Sequence, residues 1–374
     1  MKKIYISAIA AVILSTGAMA QSNNIKEAFA NGKVSGDITL YGESTSKKGN
    51  NKNSGYAMGS IGVGYETDSL NGFKGAVAFR ANHEFTEKEK GDYSDGTDPE
   101  AALSTANISY ANDYATIIAG RQEIDLEWMS DFHEAVVGII TAIPDTTLVI
   151  GHSTRFMAVD NDGALEKIQH IEDITGVKSN NGASVLDIKY EGIKNTVINP
   201  YFMNAKDVFS AYGLKVNTSI AGIDLTAHYA ETNENSINGV TNKDGAITHL
   251  EIGTTVADIS LAAGYITTDK NGAIGSLDTL GDNIDPFEDG GDVYGEDADT
   301  YYITAGTEIS SIELNAFYGK TNSGISNDKN SEIFMTIGNE VATNLNLELL
   351  VSSVNAEDTN DDTKKVALTA SYSF

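Results

Sequence analysis

Lys364-Lys365-Val366-Ala367-Leu368-Thr369-Ala370-Ser371-Tyr372-Ser373-Phe374 ends the chain. Val366, Leu368, Ala370, Tyr372 and Phe374 alternate with Ala367, Thr369, Ser371 and Ser373. A period of two sends neighbouring side chains to opposite faces of a strand, so one face here is apolar and the other wettable. A soluble sandwich buries such a face against a second sheet, whereas a transmembrane barrel turns it to lipid. The rest of the chain decides between the two.

The same alternation recurs upstream. Ile223, Leu225, Ala227 and Tyr229 oppose Asp224, Thr226 and His228; Ile312, Leu314, Ala316 and Tyr318 oppose Glu313, Asn315 and Phe317. Eighteen strand-like segments can be marked from 33–44 to 364–374, with sixteen as the alternative count. Short turns, such as Pro144-Asp145, Ala257-Asp258 and Ser310-Ser311, alternate with long polar stretches, such as 86–102, 121–134, 158–182 and 269–299. Only the link near 205–207 breaks this order. Short turns on one side and long loops on the other fit an antiparallel up-and-down transmembrane β-barrel, all-β, with both ends in the periplasm. Polar inward faces predict a water-filled lumen. Segment 196–204 is the weakest strand, because Pro200 removes a donor from the ladder.

The other end reads as a targeting segment. Met1-Lys2-Lys3, an apolar run from Ile4 to Leu14, and Ala18-Met19-Ala20 form a secretory signal peptide with cleavage before Gln21. The apolar run is too short to span a bilayer, so a retained anchor is the weaker reading. Residues 21–374 then form a single barrel domain without cysteine, with 36 Gly and only 4 Pro in the whole chain. The formal charge is −28, with 25 Lys and Arg against 53 Asp and Glu. That balance excludes nucleic acid as a partner.

Between Tyr114 and Met157 lies the stretch with the clearest functional content. An apolar strand ends in Gly120-Arg121-Gln122. A loop at 121–134 follows, with Glu123, Asp125, Glu127, Trp128, Asp131 and Glu134, and then a hairpin through Pro144-Asp145. Its apolar residues need a surface, so the loop is expected to fold inward and narrow the lumen. The only arginines are Arg80, Arg121 and Arg155, on the third, fifth and seventh strands. Facing the loop acids, they would form a pore constriction with a transverse field that orients polar solutes. The plainer alternative is that each Arg pairs with a neighbouring carboxylate. The excess of acid predicts cation preference.

Gly120-Arg121-Gln122-Glu123 with its acidic loop, the hairpin ending Val149-Ile150-Gly151-His152, the stretch 26–36 and the terminal Tyr372-Ser373-Phe374 resemble the Opr-type porins. The likeness is strongest to the major outer membrane proteins of the Campylobacter group. The resemblance implies an eighteen-stranded barrel in a Gram-negative outer membrane, commonly a homotrimer. Such a barrel passes small hydrophilic solutes by diffusion, with its third long loop in the lumen at 121–134. It also implies an assembly signal at Tyr372 and Phe374 read by the barrel-assembly machinery, and contact with lipid and lipopolysaccharide. Relatives with a basic ladder take up one substrate class; three arginines do not make such a ladder.

The densest acidic run, 282–299, contains Asp282, Asp285, Asp289 and Asp292 and no Lys or Arg. Carboxylates this close repel one another unless solvated or bound to a hard cation. Calcium at those four residues is the one cofactor the sequence suggests, against a solvated surface loop as the simpler expectation. No nucleophile motif, zinc spacing or phosphate-binding Gly loop is present. A diffusion porin is therefore the leading function. An adhesin with long binding loops is the alternative, and a barrel hydrolase is the remotest.

Overall fold

The computed structural model describes residues 22–49, 51–179, 181–237, 239, 242–324 and 329–374. The predicted signal peptide, residues 1–20, lies outside the described residues.

The strands are β1 Lys33–Lys47, β2 Tyr56–Glu66, β3 Phe73–Glu87, β4 Ala101–Ala111, β5 Ala115–Glu123, β6 Phe132–Ile140, β7 Thr146–Met157, β8 Gln169–His170, β9 Ala183–Ile193, β10 Thr196–Ala205, β11 Phe209–Ile220, β12 Ile223–Glu234, β13 Ala246–Val256, β14 Ile259–Thr268, β15 Ala298–Ile309, β16 Ile312–Ser323, β17 Lys329–Ala342, β18 Leu345–Asn355 and β19 Thr363–Ser373. Each of the eighteen long strands pairs antiparallel with its neighbours in sequence, β7 pairing directly with β9. The two-residue β8 lies beside the top of β7. β19 pairs with β1 from Asp37↔Ser373 to Lys47↔Thr363, which closes the sheet. The eighteen-strand count is thus the observed one. Closure removes both edges of the sheet, so each strand finds a partner on either side.

Several turns are fixed locally. Ala257 and Asp258 both take positive φ, as do Ser310 and Ser311. Two successive left-handed residues match the right-handed twist of the hairpin strands they join. Pro200 sits inside β10, and Tyr201↔Asp187 and Ile198↔Tyr190 pair on either side of it. The Asn199 amide donates to the Ile188 carbonyl at 2.9 Å, supplying a hydrogen bond where proline has no N–H.

The outer wall is apolar. Ile61, Val63, Phe79, Leu225, Tyr229, Leu250, Ile252, Ile303, Tyr318, Leu368 and Tyr372 are all exposed. A belt of this kind on a closed barrel belongs in hydrocarbon. Phe374 caps it at the closure: its N–H donates to the Gly36 carbonyl and its carbonyl accepts from the Gly36 N–H, both at 2.9 Å. Its ring lies where a Cβ on Gly36 would stand.

The interior departs from the expected wet lumen. A dry cluster joins Ile124, Leu126, Trp128 and Met129 to Ile274, Leu277, Leu280, Ile284, Phe287 and Val293, and to wall residues including Met203, Ile247, Ile266 and Phe317. None of its members comes from β1–β4, β18 or β19. The wall of β6 and β9–β16 is therefore covered by apolar packing, and the sector over β1–β4, β18 and β19 turns polar side chains such as Thr39, Arg80, Asn82, Ser352 and Lys365 inward.

Candidate functional site: an acidic eyelet made by three loops

Three of the connections on the long-loop side turn into the barrel. The first, 124–131, is shorter than the sequence suggests. β5 runs on to Glu123 and β6 starts at Phe132, which puts Arg121, Glu123 and Glu134 on strands. The loop folds into a tight turn, with Leu126 and Met129 exchanging backbone hydrogen bonds at 2.9 and 3.3 Å. It is tied to the facing wall. Trp128 Nε1 donates to the Tyr201 hydroxyl at 2.7 Å, and that hydroxyl meets His228 Nε2 at 2.6 Å. Lys215 Nζ donates to both oxygens of Glu127, at 2.8 and 3.0 Å. These tethers reach β10, β11 and β12.

The second loop, 269–297, contains the acidic run. Its apolar residues Ile284, Phe287 and Val293 are buried, so it is not the solvated surface loop expected from its charge. Apolar partners on the wall and on the first loop draw it inward; its carboxylates turn to the remaining water. The Leu280 carbonyl accepts from the Ser130 N–H at 3.0 Å, and Asn283 Nδ2 donates to the Leu126 carbonyl at 3.0 Å. The tip is latched to β17–β19. Glu332 accepts from the N–H groups of Glu288, Asp289 and Gly290 at 3.0–3.2 Å. Lys365 pairs with Glu288 at 3.5 Å and also with Asp289.

The third loop, 158–182, buries Leu165 and Ile171 and crosses to β1–β3. Asn82 Nδ2 donates to the carbonyls of Asp160 and Gly163 at 2.9 and 2.7 Å. Asn161 donates to Thr39 at 3.1 Å, and the Tyr56 hydroxyl to the Asp162 carbonyl at 2.8 Å.

Carboxylates from the three loops gather where these paths meet. Asp160 feels Asp162, Asp131 and Glu166, and Glu288 feels Asp162. Arg80 on β3 and Lys365 on β19 face them from the wall and act on Asp162. Asp160, Asp162 and Glu288 are exposed to water. Even so, burial inside the barrel pushes all three carboxyls upward, Asp160 to about 6. Burial likewise raises Asp131. All four are loop groups inside the barrel, where the surrounding protein disfavours their charged form.

The residues singled out from sequence divide between the two sides of the wall. Arg80 lies on the lumen face, where it holds Asp37 through two bonds at 2.7 and 2.9 Å and Ser60 at 2.6 Å. Asp131 joins the eyelet, Asp125 is met by Asn283 at 3.4 Å, and Glu127 is committed to Lys215. On β6, His133 and Ala135 are buried facing the core, so Glu134 takes the outward phase. Arg155 pairs with it at 3.2 Å and contacts His170, its partner across the β7–β8 ladder. Arg121 is opposite Glu134 in the β5–β6 ladder and donates to the Leu103 carbonyl at 2.7 Å, beyond the last β4–β5 pair. Glu123 lies opposite Phe132 at the end of that ladder.

Asp282, Asp285, Asp289 and Asp292 are spread along the second loop. Asp282 accepts from the Tyr294 hydroxyl at 2.6 Å, Asp285 from the Phe287 N–H at 2.9 Å, and Asp289 holds Lys365. Among the described residues, no three His, Asp or Glu side chains are grouped to hold a metal ion.

Sequence reasoning passed over Asp160, Asp162, Glu166 and Lys365, and counted Glu288 only as part of the acidic run 282–299. The available signal was the apolar content of their loops: Leu165, Ile168 and Ile171 in one, Ile274, Leu277, Leu280 and Ile284 in the other. A loop that must bury such residues does not stay in solvent.

No family model matches the chain, and no curated protein matches it by sequence. Solved structures do. The chain is similar to Acinetobacter baumannii OccAB1 at a TM-score of 0.75 and 12% identity, over 95% of this chain and 99% of that one. Pseudomonas aeruginosa OccK8 (OprE) gives a TM-score of 0.73 at 12% identity, over 92% and 98%. Pseudomonas aeruginosa OpdQ gives 0.73 at 11%, over 93% and 99%. Across identities this low, what the chain has in common with these proteins is the fold, along nearly its whole length.

Proposed function

We propose that the chain is an Opr-type porin of a Gram-negative outer membrane, related to the major outer membrane proteins of the Campylobacter group. It passes small hydrophilic solutes and ions by diffusion and prefers cations. One observation carries the reading: a closed barrel with an apolar outer belt gathers carboxylates from three loops in its interior, facing Arg80 and Lys365 on the wall. Facing charges of opposite sign, with acids on the loops and Arg80 and Lys365 on the wall, orient a polar solute and favour a positive one. Electrostatics inside the tunnel is the whole of its chemistry, and no catalytic step is assigned to it. The proposal includes export with cleavage after Ala20, folding by the barrel-assembly machinery through Tyr372 and Phe374, contact with lipopolysaccharide, and a homotrimer.

Planar-bilayer recording on detergent-purified protein tests it. The expected record shows stepwise ohmic openings, in threes for a trimer, with reversal potentials of cation sign in a KCl gradient. Absence of openings rejects the porin; an anion-sign potential rejects the charge reading.

A further inference from the structure

On the long-loop side of the eyelet the lumen wall carries aromatic rings that simple ion passage does not require. Tyr41 on β1 shares a phase with the buried Asp37 and Thr39, and Tyr56 on β2 with Met58 and Ser60, so both rings face inward. Their centroids are 5.8 Å apart. Tyr93, from the 88–100 loop, meets Tyr56 edge-on at 5.4 Å. All three rings are half-buried. Carboxylates surround them. The Tyr41 hydroxyl donates to Glu43 at 2.9 Å, Glu43, Asp160 and Asp162 act on Tyr56, and Glu84, Asp98 and Glu100 act on Tyr93. Of the cations near by, Arg80 is engaged with Asp37, Lys365 with Glu288 and Asp289, Lys52 with Glu89, and Lys88 bonds Ser44.

Ring faces and carboxylates attract the same guest. An aromatic face holds a cation through its quadrupole, and it does so best when the cation is poorly hydrated. Potassium keeps its water, whereas an alkylammonium group loses little by leaving it. Rings alone would suit a sugar or an apolar solute; the carboxylates select positive charge. We propose that Tyr41, Tyr56 and Tyr93 form a binding station for organic ammonium solutes on the extracellular approach to the eyelet. The station rests on the porin reading and narrows its solute class.

Choline, added to the extracellular side of full-length channels in KCl, is the probe. Reversible current interruptions whose frequency rises with choline concentration are expected. In Tyr41→Leu/Tyr93→Ala they shorten about two- to thirtyfold, the span of a cation–ring contact. Tyr93 lies in a loop outside the ladder, so Tyr93→Ala alone keeps the test readable if Tyr41→Leu impairs folding. Tyr318→Leu on the lipid face is the control and keeps wild-type durations. Silence toward choline in channels that conduct KCl normally overturns the station, as do unchanged durations in the variants or equal interruption by glucose. Failure of the porin reading shows separately, as absence of KCl steps.

Discussion

Asp160 shows how much of this site is decided around a single side chain. Its carboxyl is wetted, yet burial followed by Asp162, Asp131 and Glu166 raises it to about 6. At pH 7 it is mostly charged, and protonation on going below 6 removes a negative charge from the eyelet. Cation preference should therefore fall between pH 7 and 5, well above the range of an ordinary aspartate. Asp160→Asn should reproduce the acid value at pH 7 and flatten that part of the profile. Reversal potentials across the pH series check both. Arg80 could be placed on the lumen face from sequence, because it shares a phase with Lys74 and Asn82. The outward phase of Arg155 could not, because the ladder shifts between Glu134 and Ala135 and moves Arg155 by one position.

At the scale of elements, the inward loops are held by few contacts of large effect. Trp128 fills the cluster and bonds Tyr201, and truncating a buried Trp costs about 3–5 kcal/mol where the cavity cannot collapse. The barrel ladder does not depend on it. Trp128→Ala should release the first loop, raising single-channel conductance and adding flicker, while heat-modifiable migration of the folded barrel is retained. Conductance equal to wild type would show that the loop is held without Trp128. The inward course of 124–131 has its signal in Trp128 and the apolar residues beside it. That of 269–297 was hidden by its charge, although Ile284, Phe287 and Val293 stand within the acidic run.

For the whole molecule, the two faces of the sheet meet different solvents. Leu250 is exposed on the outer belt, and Thr226 alternates with its outward neighbours on the lumen side. Leu250→Arg should cost about 2–4 kcal/mol near the bilayer midplane, while Thr226→Arg should alter selectivity with little loss of stability. Urea unfolding of the barrel in lipid vesicles separates the two; equal losses would contradict the assigned faces.

The sequence by itself determined the strands, the lipid face of those that alternate cleanly, and the alternation of short and long connections. All of these follow from local backbone geometry with a period of two, and from turn residues a few positions apart. Only the tertiary structure decided the eyelet. Asp131, Asp160, Asp162, Glu166 and Glu288 come from three loops, and Arg80 and Lys365 from strands at opposite ends of the chain. They meet because the barrel closes and the loops bury apolar side chains against distant strands, and no local pattern of residues encodes such a meeting.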